Sequence, residues 1–411
     1  MRDMSDRTRS FLQEQFHRYY VECFEEVEVK HEFKEREFAA LLMQDRVMIR
    51  HKSFKTRNDL QSFMCAMVPS DMYYSSAYYE QPDSPDMGSK GWIGADLIFD
   101  IDADHIPTSC NKIHDTWTCI RCRFNGKGEQ PQKCPSCGGE KFEETTWPCE
   151  ECLTSAKAET IKLLDILSKD FGFSKNNITT FFSGNRGYHV HVEDETVKSL
   201  DSVARKEIVD YVTGLGLDAN LHLGEIGDSG SNDMKSFGWR GRIAHGMTSF
   251  VLNGEIADFQ KIGLKKNTAK IIVNSKDTIL KNLDSQKPHG SVRGLGTETY
   301  RKLVEHSRKS QSAKVDTVVT TDIHRLIRLP GSLHGKTGFR KVQISISSID
   351  DFDPFKSATA FKGGTTSVLV SDAPEFRLGN ERFGPFRNQK VELPTAAALL
   401  LMCKKRAEMA T

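Results

Sequence analysis

Apolar and polar positions follow a readable rhythm at several places along this chain. Residues 92–102, WIGADLIFDID, form a strongly apolar strand that ends on acids. Alternate residues of a strand share a face, so Phe99 and Ile101 enter a core while Asp100 and Asp102 face a cleft. Upstream, residues 8–28 look helical and partly amphipathic, and Arg36–Phe54 reads as strand material around a turn. Residues 153–170 read as a helix, with Ile161, Leu164 and Ile166–Leu167 at roughly helical spacing. A short strand in NNITTFFSG, a turn and a second strand, YHVHV, come next. Residues 195–310 are helical and irregular, and the glycine-rich stretch 222–246 has no phosphate-loop lysine pattern. Residues 315–347 alternate strands and turns, and a C-terminal helix over about 394–409 begins at Pro394–Thr395. No internal repeat is visible. The pattern predicts a mixed α/β (α+β) chain whose chemical residues are far apart in sequence.

The length of 411 residues calls for two or three domains. Charged residues make up 27% and apolar ones 38%, a globular composition. The net charge is only +1, so nucleic-acid binding would need a local basic channel. The apolar run Ala396–Cys403 is too short to span a membrane, and MRDMSDRTRS has no signal-peptide core. The expected location is the cytoplasm, or the nucleus in a cell that has one.

Asp100 and Asp102 would repel each other without a cation between them. Asp322 is a third acid, just before a basic strand, in TTDIHRLIRLPGSLHGKTG. Magnesium takes hard oxygen ligands, phosphate oxygens included. Two such ions orient a triphosphate and stabilise charge on both sides of the transferred phosphorus. The plain alternative is a solvated acidic strand end. A calcium loop fails, because His105 stands where it needs glycine and Asn111 where it needs glutamate. Asp104 reads as a surface acid and Asp96 as structural.

Two stretches suit phosphate. SGNRGYHVHV puts Ser183 and Gly184 in a turn, then Arg186, then His189 and His191 on a strand. Glycine lets backbone amides approach phosphate and arginine adds charged donors. A purely structural turn fits equally well. The stronger stretch is 322–338, with Arg325, Arg328, Pro330–Gly331, Ser332, His334, Lys336 and Thr337. From Arg301 to Lys341 ten Lys/Arg face three Asp/Glu, so positive charge is concentrated there. A solvated basic hairpin is the alternative. No GxxxxGK[ST] loop occurs, which argues against a P-loop ATPase.

FDID at 99–102, SGNRGYHVHV at 183–192 and VTTDIHRLIRLPGSLHGKTG at 319–338, in that order, resemble the small catalytic subunit of archaeal and eukaryotic DNA primases. REFA at 36–39, IRHKSF at 49–54 and the archaeal-like VELPTAAALLLM at 391–402 extend the resemblance over nearly the whole chain. It implies the primase catalytic fold, with Asp100, Asp102 and Asp322 as catalytic residues binding Mg2+ or Mn2+. Ser183, Arg186, His189, Arg328 and His334 would contact the nucleotide, with Arg50 and Lys336 as weaker members of that set. It also implies short RNA primers made on single-stranded DNA, some use of dNTPs beside NTPs, a primer–template duplex as product, and an iron–sulfur large subunit as partner. The family often carries two arginines after SG; here Asn185 precedes Arg186, which predicts altered nucleotide affinity. The chain then divides into an N-terminal catalytic part (1–107), a zinc-binding insertion (108–152), continued catalytic core (153–195), a helical and irregular subdomain (196–310), and a final catalytic segment (311–411).

The insertion is rich in Cys, Gly and Pro, with six Lys/Arg and seven Asp/Glu between Cys110 and Cys152, so it is no obvious basic grip. Its three CxxC pairs favour metal over disulfides in a reducing compartment. Cys119/Cys122 with Cys134/Cys137 has zinc-ribbon spacing, and Cys110, His114, Cys149 and Cys152 offer a second tetrad that resembles the structural zinc position of archaeal relatives. One zinc or two remain open at this point. Cys23, Cys65 and Cys403 read as ordinary thiols and Trp147 as local packing. The competing functions are a primase-like polymerase or repair enzyme without a large subunit, a non-catalytic zinc-ribbon nucleic-acid binder, and a phosphohydrolase. The binder leaves the three aspartates unexplained, and motif order argues against the phosphohydrolase.

Overall fold

The computed structural model describes residues 4–28, 33–44, 46–218, 237–284 and 292–410. Residues 222–236 of the glycine-rich stretch, and a few positions of the 196–310 segment beyond it, lie outside these. The architecture is mixed α/β. The chain forms two compact units, one of 1–160, 175–205 and 315–411, the other of 161–174 and 206–314.

The first unit holds two four-stranded antiparallel sheets. One runs Leu326–Arg328, Pro69–Ser75, Phe38–Leu42, Met48–Lys52. The other runs Val342–Ile344, Ile178–Phe182, Gly187–Val192, Leu97–Asp102. The strands Ile178–Phe182 and Gly187–Val192 are buried along their whole length, their polar members Thr179, Thr180, His189 and His191 included. The sheets meet where Tyr74 Oη lies 3.4 Å from His191 Nδ1 and where Lys341 Nζ sits between the Tyr74 and Phe181 rings, 6.0 and 4.4 Å from their centres.

The predicted strand 92–102 is two strands. Trp92–Ala95 pairs with Ala77–Tyr79, while Leu97–Asp102 joins the second sheet. Asp96 separates them, because its buried carboxylate accepts from Arg36 and Tyr78 at 2.6 and 2.7 Å and cannot follow either apolar run. The first helix, Asp6–Glu22, is capped by Ser5 and stops short of residue 28. The 315–347 stretch opens with a helix, Thr317–Thr321, capped by Asp316, rather than with a strand. The C-terminal helix covers Thr395–Cys403 only; Lys405 takes φ +57° and Ala407–Met409 returns as a strand beside Thr365–Ala373. A left-handed residue ends a helix, and the apolar pattern alone does not reveal it.

The Cys-rich segment builds its own three-stranded sheet, Asn125–Lys127, Thr116–Cys119, Phe142–Thr145. The second unit is helical around a core of Ile243, Met247, Val251, Phe259, Ile272, Leu303 and Val304. There Gly246 of the helix Gly238–Asn253 allows close approach to Ser307 of the helix Thr297–Gln311.

Candidate active site and metal centres

All the candidate residues lie in the first unit. Register does the first part of the assembly: His189 stands directly opposite Asp100, and Gly187 opposite Asp102. A Cβ at Gly187 would come within 2.1 Å of the Ile101 carbonyl oxygen, so only glycine lets the turn close on the aspartate strand. Ser183 Oγ accepts the amides of Asn185 and Gly187, each at 3.3 Å, which defines the turn. Gly184 has φ +87°, and a Cβ there would press on His334 Cβ at 3.1 Å. Thr337 Oγ1 donates to the Gly184 carbonyl at 2.5 Å. The two phosphate-type turns, far apart in sequence, are therefore one interlocked surface.

Asp100 carries a carboxyl pushed up to about 7 by burial and by Asp102 and Asp316, against the pull of Arg325 and Lys341. Such a pair of like charges is relieved by a bound cation, and oxygen donors suit a hard divalent ion. Asp322 ends the helix Thr317–Thr321 and accepts the His324 amide at 2.9 Å. That helix is tied to the aspartate strand by the Asp316 amide, which donates to the Asp100 carbonyl at 2.8 Å. Among the described residues, only the two cysteine-rich groups bring all their ligand atoms within 4.8 Å of one another; the three aspartates are more widely spread.

His189 is buried with Nε2 3.6 Å from Asp100, and burial, then Lys341, holds it well below the usual histidine value, so it is neutral. Arg328 donates to Asp71 at 2.5 Å, and the Gly335 amide donates to the same oxygen at 3.1 Å. Burial alone would raise Asp71, but Arg328 and its neighbours hold it below the ordinary carboxylate range. His334 lies 3.6 Å from Asp71, yet burial and Arg328 depress it too far for a true ion pair. Its Nδ1 accepts the Lys336 amide at 3.1 Å, while the Lys336 side chain is exposed. Arg50 donates to Glu37, a buried carboxylate that also holds Lys90 at 3.0 Å.

Arg186 takes a different place from the expected nucleotide contact. Its side chain is 0% exposed. Nη1 pairs with Asp104 at 2.8 Å and Asp115 at 2.9 Å, and Nη2 reaches Cys152 Sγ at 3.3 Å. Asp104, read as a surface acid, is exposed and at the same time paired with Arg186. The sequence reading passed over Asp71, Lys341, Asp115 and Lys404. Asp71 left a signal, a lone acid within the apolar PSDMYYS strand; the others look like ordinary surface charges until folded.

Cys110, His114, Cys149 and Cys152 form one cluster, and Cys119, Cys122, Cys134 and Cys137 the other. Sulfur separations of 3.3 Å for Cys110–Cys152 and 3.6 Å for Cys119–Cys137 lie close to the edge of a zinc tetrahedron, about 3.8 Å for 2.3 Å bonds. His114 Nδ1 lies 2.7 Å from Asp115, the outer contact that orients a ligating imidazole. Both groups fit a closed structural metal site.

These features define a class: an α/β protein with a carboxylate strand beside a glycine-shaped turn, and with two cysteine-rich groups suited to holding metal. Comparison with known proteins narrows it. A family model described as DNA primase small subunit matches residues 143–346. The chain is 35% identical to the DNA primase small subunit PriS of Methanococcoides burtonii over 98% of this chain and 99% of that protein. It is 35% identical to PriS of Archaeoglobus fulgidus over 97% of each, and 33% identical to PriS of Nitrosopumilus maritimus over 99% of this chain and all of that one. The chain belongs to the archaeal-type DNA primase small subunit family.

Proposed function

We propose that this protein is the catalytic subunit of a primase and joins nucleoside triphosphates into short RNA primers on single-stranded DNA. The observation that carries the reading is the register that sets Asp100 and Asp102 against His189 and Gly187, beside the interlocked turns at Gly184 and His334. Asp100, Asp102 and Asp322 would hold Mg2+ or Mn2+, which when bound supplies charge for the triphosphate and the attacking hydroxyl. Ser183 and its turn amides, His189, Arg328, His334 and Lys336 orient the phosphates, with Arg50 at the edge. Asp71 keeps Arg328 and the Gly335 amide in place. Arg186 acts as a positioning residue through Asp104 and Asp115. Template pairing chooses the base, and dNTPs enter the same pocket. The two cysteine-rich groups hold structural zinc. The partner is an iron–sulfur large subunit, and the work is done on DNA in the cytoplasm. No helix among the described residues is long and apolar enough to cross a membrane.

The test is primer synthesis on single-stranded DNA with labelled NTPs or dNTPs and Mg2+ or Mn2+, with and without the large subunit. Short products that disappear in Asp100→Ala/Asp102→Ala are expected. No product from folded, zinc-loaded protein even with its partner would favour a non-catalytic nucleic-acid binder.

A further inference from the structure

Two adjoining cavities lie away from the aspartates, on the first unit. The larger, about 1490 Å³, runs between the edge of the Cys-rich sheet (Thr116, Asn125, Lys127) and the C-terminal sheet (Leu369, Lys390, Glu408). The smaller, about 300 Å³, shares Met4 and Lys405 with it and ends at Gly335 in the HGKTG turn. Eight Lys and Arg side chains line the two together, against Glu143 and Glu408, although burial pulls Lys404 down to about 7 so that it carries only part of a charge. In a chain of net charge +1 that is a strong local excess. Several of these cations are paired only at long range: Glu143 reaches Arg123 and Lys405 at 3.9 Å, Asp372 reaches Arg406 at 3.8 Å, and the exposed Asp6 reaches Arg9 at 3.5 Å. Lys404, which lines the larger cavity, donates to Asn185 of the phosphate-type turn at 3.3 Å. The basic surface therefore runs into the candidate active site at two points, Lys404–Asn185 and Gly335.

We infer that this cleft between the Cys-rich and C-terminal sheets is a track for the sugar–phosphate backbone of a single nucleic-acid strand entering or leaving the active site. Its size argues against one small ligand, since such sites commonly measure about 300–1,000 Å³. Its lining argues for backbone rather than base contact: cations, hydroxyls and amides stand among aliphatic side chains such as Met4, Leu12, Leu369 and Met409, with no aromatic ring on which a base would stack. The inference rests on the proposed nucleotidyl-transfer site only for what the track leads to.

Lys127, Lys390 and Lys405 are exposed, so reversing their charge does not disturb the core. The experiment is fluorescence anisotropy of a labelled single-stranded oligodeoxynucleotide with the full chain, across a salt series. For Lys127→Glu/Lys390→Glu/Lys405→Glu we expect affinity to fall at least tenfold and the salt slope to shrink by about 2, at roughly 0.7 per lost phosphate contact on a single strand. Mg-NTP affinity, measured separately, stays unchanged. Unchanged strand affinity and slope would overturn the inference. So would an equal loss in the control Lys265→Glu/Lys266→Glu/Lys270→Glu, exposed lysines of the second unit. Primer synthesis surviving in Asp100→Ala/Asp102→Ala would instead refute the catalytic reading and leave the track standing.

Discussion

Replacing Arg186 by alanine separates two roles that sequence alone cannot tell apart. If the guanidinium touched the incoming nucleotide, the variant would lose nucleotide affinity and keep its fold. The structure points to a different loss. Removing one partner of a buried ion pair costs about 3–5 kcal/mol, because the other charge is left without compensation. Two carboxylates are involved here, but not equally. Asp104 is 34% exposed and water can take over its solvation. Asp115 is only 11% exposed and keeps His114 at 2.7 Å and the Trp147 amide at 3.1 Å. The cost should therefore fall near the lower end, about 3 kcal/mol. A second effect follows from Nη2 against Cys152 Sγ. Loss of an outer-shell donor typically weakens a metal site about 10–100-fold. The assays are urea unfolding, zinc release against graded chelator, and calorimetric titration with Mg-NTP. Expected are a transition destabilised by about 3 kcal/mol, easier loss of one zinc, and at most an indirect change in nucleotide binding; Arg186→Lys should recover part of the stability. Unchanged stability and zinc affinity, with a selective loss of nucleotide affinity, would refute the reasoning.

Two further predictions follow from the same web of contacts. Asp71→Asn leaves Arg328 buried without its carboxylate and should lower stability at pH 7 by about 3 kcal/mol; because the folded-state pKa of Asp71 is depressed, that contribution is present above the unfolded value near 3.9 and fades as pH falls below it, so urea midpoints of the two proteins should converge in acid, and a gap that stayed constant would contradict the assignment. Gly187→Ala puts a Cβ 2.1 Å from a backbone oxygen with no flexible side chain to yield; the strand must shift, at about 1–3 kcal/mol or more, and primer synthesis should drop further than stability does, so a variant with normal activity would show that the Asp102–Gly187 register is dispensable.

Much of the fold was legible, for definable reasons. The strand–turn–strand 178–192 could be read because apolar runs flank a Ser–Gly turn. The CxxC pairs were legible because metal geometry constrains spacing so tightly. What stayed hidden depends on the partner element. Nothing local marks Asp96 as a break between strands; Arg36, sixty residues earlier, does. The shortened C-terminal helix hides because the left-handed Lys405, rather than any change in the apolar pattern, ends it. The role of Asp71 depends on Arg328, and Arg186 is buried because Asp104 and Asp115 are there to pair with it.

The histidines show why the hidden residues matter to the chemistry. His334 Nδ1 accepts the Lys336 amide, which leaves the ring proton on Nε2. Burial and Arg328 keep the ring neutral. It is then a fixed donor that adds no second charge beside the buried Arg328. The division is physically sensible. Arg328 supplies attraction, anchored by Asp71, while Lys341, which burial pushes well below the usual lysine range, donates to the Arg328 carbonyl at 2.9 Å. Neutral rings and turn amides supply direction, since a hydrogen bond is sensitive to angle where a point charge is not. Protonating His334 would place a second buried cation beside Arg328, so its neutrality depends on its burial and on that arginine.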